Sequence, residues 1–133
     1  MTDSDQMSYF SRLEANECWA LLSDAEVGRI AWNSDEGIVI VPVNFRLVGQ
    51  TVVFHTAPGT RLAEMADGVE VAFQVDDIDR ESAIGWSVLV RGVTGLADGD
   101  STSVSWLDGS RTLGIAITAS SIAGRVVSGN KKN

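Results

Sequence analysis

The strongest constraint on the fold is a strict alternation of apolar and other side chains in the middle of the chain. The apolar positions Val69, Val71, Phe73 and Val75 are separated by Glu70, Ala72, Gln74 and Asp76. Successive side chains of a strand point to opposite faces of a sheet, so this pattern predicts a strand with one buried and one exposed face. Such strands are typical of antiparallel sheets that cover a core on one side.

Further strand-like runs are separated by turn residues at the spacing of antiparallel hairpins. They cover residues 27–32, 37–45, 51–56, 83–96, 112–118 and 122–127, of which the last two form either one strand or two. Helical spacing is confined to residues 13–22 and 60–67, with a polar helix or loop over 100–108 and a charged loop over 76–81. Because strands and helices do not alternate, we predict a mainly β fold of six or seven antiparallel strands with two or three short helices. A closed or nearly closed barrel leaves the fewest exposed strand edges.

Composition indicates a single domain and excludes some classes of partner. The chain has 133 residues, of which 44% are hydrophobic, enough for one ordinary core. We expect a flexible leader over residues 1–12, the domain over 13–128 and a tail over 129–133. A net charge of -8 argues against nucleic acid and against an anionic membrane surface as partners. With no apolar run of membrane-spanning length, we expect a cytoplasmic protein.

Two residue types that often carry chemistry occur once each. Cys18 is the only cysteine and His55 the only histidine. A single cysteine cannot form a disulfide within the chain, and the apolar helical setting of Cys18 predicts a core position. The sequence has no cluster of His and Cys residues that would indicate a metal site, and it does not identify a catalytic residue.

A turn before the second predicted helix has the chemistry of a phosphate site. Gly59 allows close approach of the backbone, Thr60 offers a hydroxyl at the helix start, and Arg61 adds a planar cation. Free amides and the dipole at a helix N-terminus favour anions, and a guanidinium can bind a phosphate through two parallel bonds. The alternative is an ordinary turn with an exposed arginine.

Two other segments could contact the same ligand. Pro42 cannot donate to a strand ladder, so the strand around it is predicted to be irregular or at a sheet edge, with Asn44 beside it. In the predicted strand 83–96, Trp86 shares a face with Val88, while Ser87 lies on the other face. The alternatives are a surface asparagine on an edge strand and a tryptophan that anchors the core or an interface.

Four motifs, in order, resemble the pyridoxamine 5'-phosphate oxidase-like proteins, which are flavin-binding split barrels. The motifs occupy residues 28–31, 42–45, 54–62 and 85–92. The resemblance extends from about residue 13 to residue 125 with order and spacing preserved. It implies a split β-barrel, FMN as cofactor, and a homodimer that holds the cofactor at the subunit interface.

The resemblance also implies cofactor-binding residues. They are Val41, Pro42, Val43, Asn44 and Phe45 along the isoalloxazine, His55 and Thr56 on the ribityl-phosphate arm, Thr60, Arg61 and Leu62 at the phosphate, and Trp86 and Ser87 on a neighbouring strand. Pyridoxamine phosphate oxidases have a lysine at the position of Leu62, so this chain is more similar to a short actinobacterial-type branch. Trp106 or Arg125 could reach the partner's site.

The resemblance leaves three functions open. The first is an FMN-dependent oxidoreductase of unknown substrate. The second is a reductase that uses the deazaflavin F420, because some members of the short branch bind F420 in place of FMN. The third is a flavin or haem carrier without catalysis, for which His55 is the only imidazole that could bind haem iron.

Overall fold

A computed structural model describes residues 9–97 and 113–128 of the chain. In these residues the chain forms eight strands, one α-helix and one 3₁₀-helix. The elements are β1 (Tyr9–Leu13), α1 (Ala15–Ser23), β2 (Val27–Ser34), β3 (Gly37–Asn44), β4 (Arg46–Val48), β5 (Thr51–Thr56), the 3₁₀-helix (Arg61–Asp67), β6 (Glu70–Asp79), β7 (Ile84–Leu96) and β8 (Leu113–Ser128). The predicted segment 100–108 and Trp106 lie outside the described residues.

All eight strands belong to one antiparallel sheet. The strand order is β3-β2-β6-β7-β8-β5-β4, and β1 pairs with β8 beyond Thr51, the first residue of β5. The sheet curls into a half-barrel in which β3 and β4 end the strand order, and its concave face covers the core. The prediction of a mainly β split barrel is confirmed, as is the hairpin formed by β2 and β3.

Two predicted boundaries were wrong, and one open alternative is decided by the structure. Residues 9–12, assigned to the leader, form most of β1, which gains main-chain hydrogen bonds from the edge of β8 regardless of its side chains. The last two strand-like runs, predicted as one strand or two, belong to the single strand β8, in which Ser120 is the extra residue of a bulge opposite Arg91 and Gly92 of β7. The charged segment after Val75 continues β6 to Asp79, paired with the start of β7.

The core lies on the face that the alternation of β6 predicted. Val71, Phe73 and Val75 are buried, and the Phe73 ring meets that of Phe45 edge to face with centroids 4.9 Å apart. Helix α1 covers one end of this core and buries Cys18, as predicted. Burial raises the pKa of the Cys18 thiol.

The second predicted helix is present, but as a 3₁₀-helix. It runs over Arg61–Asp67 and ends at Gly68, whose left-handed φ of 80° is typical of a glycine that ends a helix. A segment of under two α-helical turns gains few i→i−4 bonds, and tighter 3₁₀ turns are common in such short pieces. The start of this segment therefore does not carry the dipole of a full α-helix.

Candidate functional site

The predicted phosphate turn joins the end of β5 to the 3₁₀-helix. Gly59 has a left-handed φ of 86°, and a β-carbon there would meet nothing within 4 Å. Thr60 is extended, with its amide donating to the carbonyl of Ala57 at 3.3 Å. The turn is thus open to solvent on the side where Thr60 and Arg61 begin the helix.

Two threonine hydroxyls of the turn form a hydrogen-bonded chain. Thr60 Oγ1 donates to the carbonyl oxygen of Ala57 at 2.8 Å, and Thr56 Oγ1 lies 2.8 Å from Thr60 Oγ1. A hydroxyl has one proton, so Thr56 must be the donor in the second bond. Thr56 is 5% exposed, which fixes one end of the chain in the sheet. The Thr60 proton can reach a ligand only if its bond to Ala57 is released.

Arg61 forms an ion pair with the carboxylate of Glu36. Its Nη2 atom donates to Glu36 Oε1 at 2.7 Å, across 25 residues of sequence. Both side chains are partly exposed, Arg61 to 43% and Glu36 to 72%. The hydrogen bond and charge of the guanidinium lower the pKa of the Glu36 carboxyl below its usual range. Arg61 is therefore placed to bind an acidic oxygen at this turn, which is the chemistry that a phosphate would need.

His55 and Leu62 flank the turn on either side. His55 is half-buried on β5 opposite Gly114, where a β-carbon would lie only 3.3 Å from its Nε2 atom. Leu62 is half-buried against the core. Leu62 therefore contributes packing at a position next to Arg61, and the imidazole of His55 has room because residue 114 is glycine.

The segment 41–45 alternates between the core and the surface. Val43 and Phe45 are buried, Val41 is half-buried, and Pro42 and Asn44 are exposed. Since β3 forms one edge of the sheet, Pro42 stands where its missing N–H breaks no ladder, and the predicted edge position is confirmed. Pro42 and Asn44 are the side chains of this segment that face solvent.

On β7, Ser87 faces outward and belongs to a polar cluster that the sequence did not suggest. Gln74 Nε2 donates to Ser87 Oγ at 3.4 Å and to Asp76 Oδ2 at 3.0 Å, while Gln74 Oε1 accepts from Arg29 at 3.4 Å. These residues come from β2, β6 and β7, so only the register of three strands brings them together. Trp86, on the other face, is half-buried against the core.

The candidate residues fall into two groups at opposite ends of the sheet. Arg61 contacts the turn between β2 and β3, whereas Asn44 is the last residue of β3. The eight residues of β3 span roughly 25 Å. Ser87 lies at the same end of the sheet as Asn44. It pairs with Asp76, which is two residues beyond Gln74 on β6. Because Gln74 pairs with Arg29 and the strands are antiparallel, Asp76 lies beside Val27, the partner of Asn44. One chain therefore does not bring Ser87 next to Arg61.

Two other features are absent from the described residues. Over 9–97 and 113–128, no group of three or more His, Cys, Asp or Glu side chains could hold a metal ion. In the same part of the chain, no helix has the length and apolar character needed to cross a membrane.

Comparisons with known proteins agree with the fold and the motifs. The profile of the pyridoxamine 5'-phosphate oxidase family matches residues 14–107, well over half of the chain. An uncharacterised protein of Mycobacterium tuberculosis is 33% identical over 86 residues, which are 61% of this chain and 57% of that protein. The chain thus matches little more than half the length of this relative.

Solved structures extend the likeness to nearly the whole domain. An FAD binding protein from Mycobacterium smegmatis is 36% identical, with a TM-score of 0.72 over 89% of this chain and 98% of the other. An FAD-binding protein from Mesorhizobium loti, 22% identical, shares the fold with a TM-score of 0.76 over 92% and 99% of the two chains. On its motifs, its fold and these matches, the chain belongs to the pyridoxamine 5'-phosphate oxidase family.

Proposed function

We propose that this protein binds a flavin nucleotide and acts as a flavin-dependent oxidoreductase. The observation that carries the proposal is the Arg61 guanidinium, which already holds a carboxylate 2.7 Å away at the open Gly59 turn. A relative with 36% identity over almost its whole length is named as an FAD binding protein. Together these support a phosphorylated flavin with its phosphate at Thr60 and Arg61.

The chain's own residues would bind and orient the cofactor. Arg61 would form charge-assisted hydrogen bonds to phosphate oxygens. The Thr60 hydroxyl would donate a further hydrogen bond to the phosphate once its bond to the Ala57 carbonyl is broken. The exposed Pro42 and Asn44 of edge strand β3 would lie along the ring system. A bound flavin would supply the transfer of hydride or single electrons, so the protein needs no nucleophile of its own.

We propose FMN as the cofactor, with FAD as the specific alternative. The motif resemblance points to FMN, whereas the Mycobacterium smegmatis and Mesorhizobium loti proteins are named for FAD. Both ligands have a ribityl phosphate, so both would place a phosphate oxygen on Arg61. They differ in whether that phosphate is terminal, as in FMN, or joined to adenosine monophosphate through a diphosphate bridge, as in FAD.

We further propose that the protein works as a homodimer whose interface contains the flavin site. The outer face of the sheet exposes large aliphatic side chains, among them Ile38, Ile40 and Val93. A shallow depression of about 300 Å³ lies beside them, lined by Ala31, Ala72 and Arg91. Ser87 and Arg61 are separated in one chain, so a ring near Ser87 and a phosphate on Arg61 would come from two copies facing each other.

The test begins with the absorbance spectrum of the purified protein and mass identification of any released molecule. Titrations with FMN, FAD and F420 follow, with wild type and Arg61→Ala compared. Arg80→Ala is the matched control, because Arg80 is exposed in the turn between β6 and β7, away from Glu36. We expect flavin binding that Arg61→Ala weakens and Arg80→Ala does not.

Other results would contradict parts of the proposal. Binding of F420 alone would replace the flavin by a deazaflavin, and a Soret band would indicate haem at His55. A flavin that binds but is never reduced by NADH or NADPH would remove the oxidoreductase assignment and leave a carrier. A monomer by light scattering, with flavin bound, would refute the interface site.

A further inference from the structure

Glu36 is held so that its carboxylate reaches Arg61. It lies in the tight turn between β2 and β3, where its amide donates to Ser34 Oγ at 3.1 Å. Ser34 Oγ in turn donates to the carbonyl of Gly37 at 2.8 Å, and Gly37 has a φ of 108°. The Ser34 hydroxyl thus closes the turn from both sides. The Glu36 side chain projects from a fixed backbone rather than from a free loop.

Both groups proposed to bind the phosphate are engaged within the chain. Arg61 binds Glu36, and the Thr60 hydroxyl donates to Ala57. An incoming phosphate must therefore exchange with the Glu36 carboxylate or accept it as a neighbour. Since a carboxylate and a phosphate both accept hydrogen bonds from the same guanidinium fork, the two compete for Arg61.

The charge of the ligand decides how strongly Glu36 opposes it. A terminal phosphate monoester carries about 1.5 to 2 negative charges at pH 7, whereas each phosphate of the diphosphate bridge in FAD carries about one. Coulomb energy scales with the product of charges, so the same carboxylate opposes a terminal monoester up to about twice as strongly as the one phosphate of the diphosphate bridge that takes its place. Glu64, whose charge also acts on Arg61, adds to the negative surroundings of the turn.

We propose that Glu36 is a specificity-determining residue, which competes with the ligand's phosphate for Arg61 and disfavours a terminal phosphate monoester relative to a phosphate within a diphosphate bridge. The inference rests on the proposed function, because it assumes that the flavin phosphate lies at Arg61. In chemical terms, Glu36 moves the preference of the site from FMN toward FAD. A flavin without a phosphate is not affected.

The experiment measures dissociation constants of riboflavin, FMN and FAD by quenching of flavin fluorescence at fixed pH and ionic strength. Wild type is compared with Glu36→Gln, which keeps the size of the side chain and removes its charge. The matched control is Asp35→Asn, which removes one charge from the same exposed turn next to Glu36. Thermal unfolding of each variant shows that the fold is retained.

We expect Glu36→Gln to tighten FMN binding by about fivefold, the upper range for a surface ion pair. FAD should tighten by about twofold, because the effect on the logarithm of affinity scales with the charge of the phosphate group that lies at Arg61. Riboflavin should not change, and Asp35→Asn should shift FMN by less than Glu36→Gln does. This ordering of the three ligands supports the inference.

Other orderings overturn it. If Glu36→Gln leaves the affinity for FMN unchanged while Arg61→Ala lowers it, the phosphate site at Arg61 is supported and the proposed role of Glu36 is wrong. If riboflavin gains as much as FMN, the substitution acts on the fold and the inference falls. If neither wild type nor Glu36→Gln binds any of the three flavins, the proposed function fails and the inference fails with it.

Discussion

Replacing Gly28 by alanine tests how the core supports the segment 41–45. Gly28 lies on β2 with its missing side chain directed at Phe73, and a β-carbon there would stand 2.4 Å from Phe73 Cζ and 2.8 Å from Cε1. Such distances are far below van der Waals contact, so the ring must move. Phe73 is fully buried and packs edge to face on Phe45, so it has no free space to enter.

The expected destabilisation has two parts. Overpacking a well-filled core costs about 1–3 kcal/mol, and loss of the aromatic contact with Phe45 adds about 0.5–1.5 kcal/mol. The sum, about 1.5–4.5 kcal/mol, is a large share of the 5–15 kcal/mol by which a typical domain is stable. For a domain of this size, Tm should fall by about 6–18 °C. Because Phe45 follows β3 directly, its displacement should also weaken flavin binding.

Urea and thermal unfolding, followed by tryptophan fluorescence, measure this change. The matched control is Gly95→Ala on β7, where a β-carbon meets nothing within 4 Å, and we expect it to be neutral or to stabilise by a few tenths of a kcal/mol. In the Phe73→Leu background, the effect of Gly28→Ala should shrink, since the clashing ring atoms are gone. A Gly28→Ala protein within about 0.5 kcal/mol of wild type would refute the reasoning.

Three further predictions concern single residues. Cys18 is fully buried with a raised thiol pKa, so it should react with a thiol reagent such as DTNB at the rate of unfolding rather than as an exposed thiol; rapid reaction of the native protein would contradict this. At Gly92 a β-carbon would lie 2.3 Å from the carbonyl oxygen of Thr118, so Gly92→Ala should destabilise by about 1–3 kcal/mol, measured by urea unfolding; an unchanged midpoint would show that the bulge can adjust. The folded-state pKa of Glu36 is lowered, so its ion pair should stabilise the fold above the pKa of the unfolded carboxyl and lose that effect as pH falls through the folded pKa. The stability difference between wild type and Glu36→Gln should therefore fade in acid; a difference that is constant with pH would argue against the pair.

Local patterns predicted the central elements well. The alternation in β6 gave its buried face, and strand β5 was predicted with its observed bounds, Thr51–Thr56. Both rely on side chains that sort between core and solvent within a few residues. Pro42 was also interpreted correctly, because its missing N–H favours the edge of a sheet wherever proline occurs in a strand.

Three features of the fold were not predicted from the sequence. The three residues of β4 are too few for a periodic signal, and β1 owes its structure to the edge of β8. The 3₁₀ form of the second helix was also missed, because i+3 and i+4 spacings look alike over seven residues.

In the candidate site, too, local features were predicted and contacts between distant residues were not. Sequence reasoning identified Arg61 from its turn, and the structure places it at that turn, paired with the carboxylate of Glu36. It did not identify Glu36, which is 25 residues away and meets Arg61 only through the curl of the sheet. Gln74, which links Arg29, Asp76 and Ser87, was missed for a related reason: its partners depend on strand register.

The central claim is that Arg61 binds the phosphate of a flavin. The most direct measurement is the ratio of the dissociation constants of riboflavin and FMN, which differ only by that phosphate, for wild type and Arg61→Ala. We expect wild type to bind FMN more tightly than riboflavin, and Arg61→Ala to reduce this preference by about tenfold or more without changing riboflavin. Equal binding of FMN and riboflavin by wild type, or an unchanged ratio in Arg61→Ala, would contradict the claim.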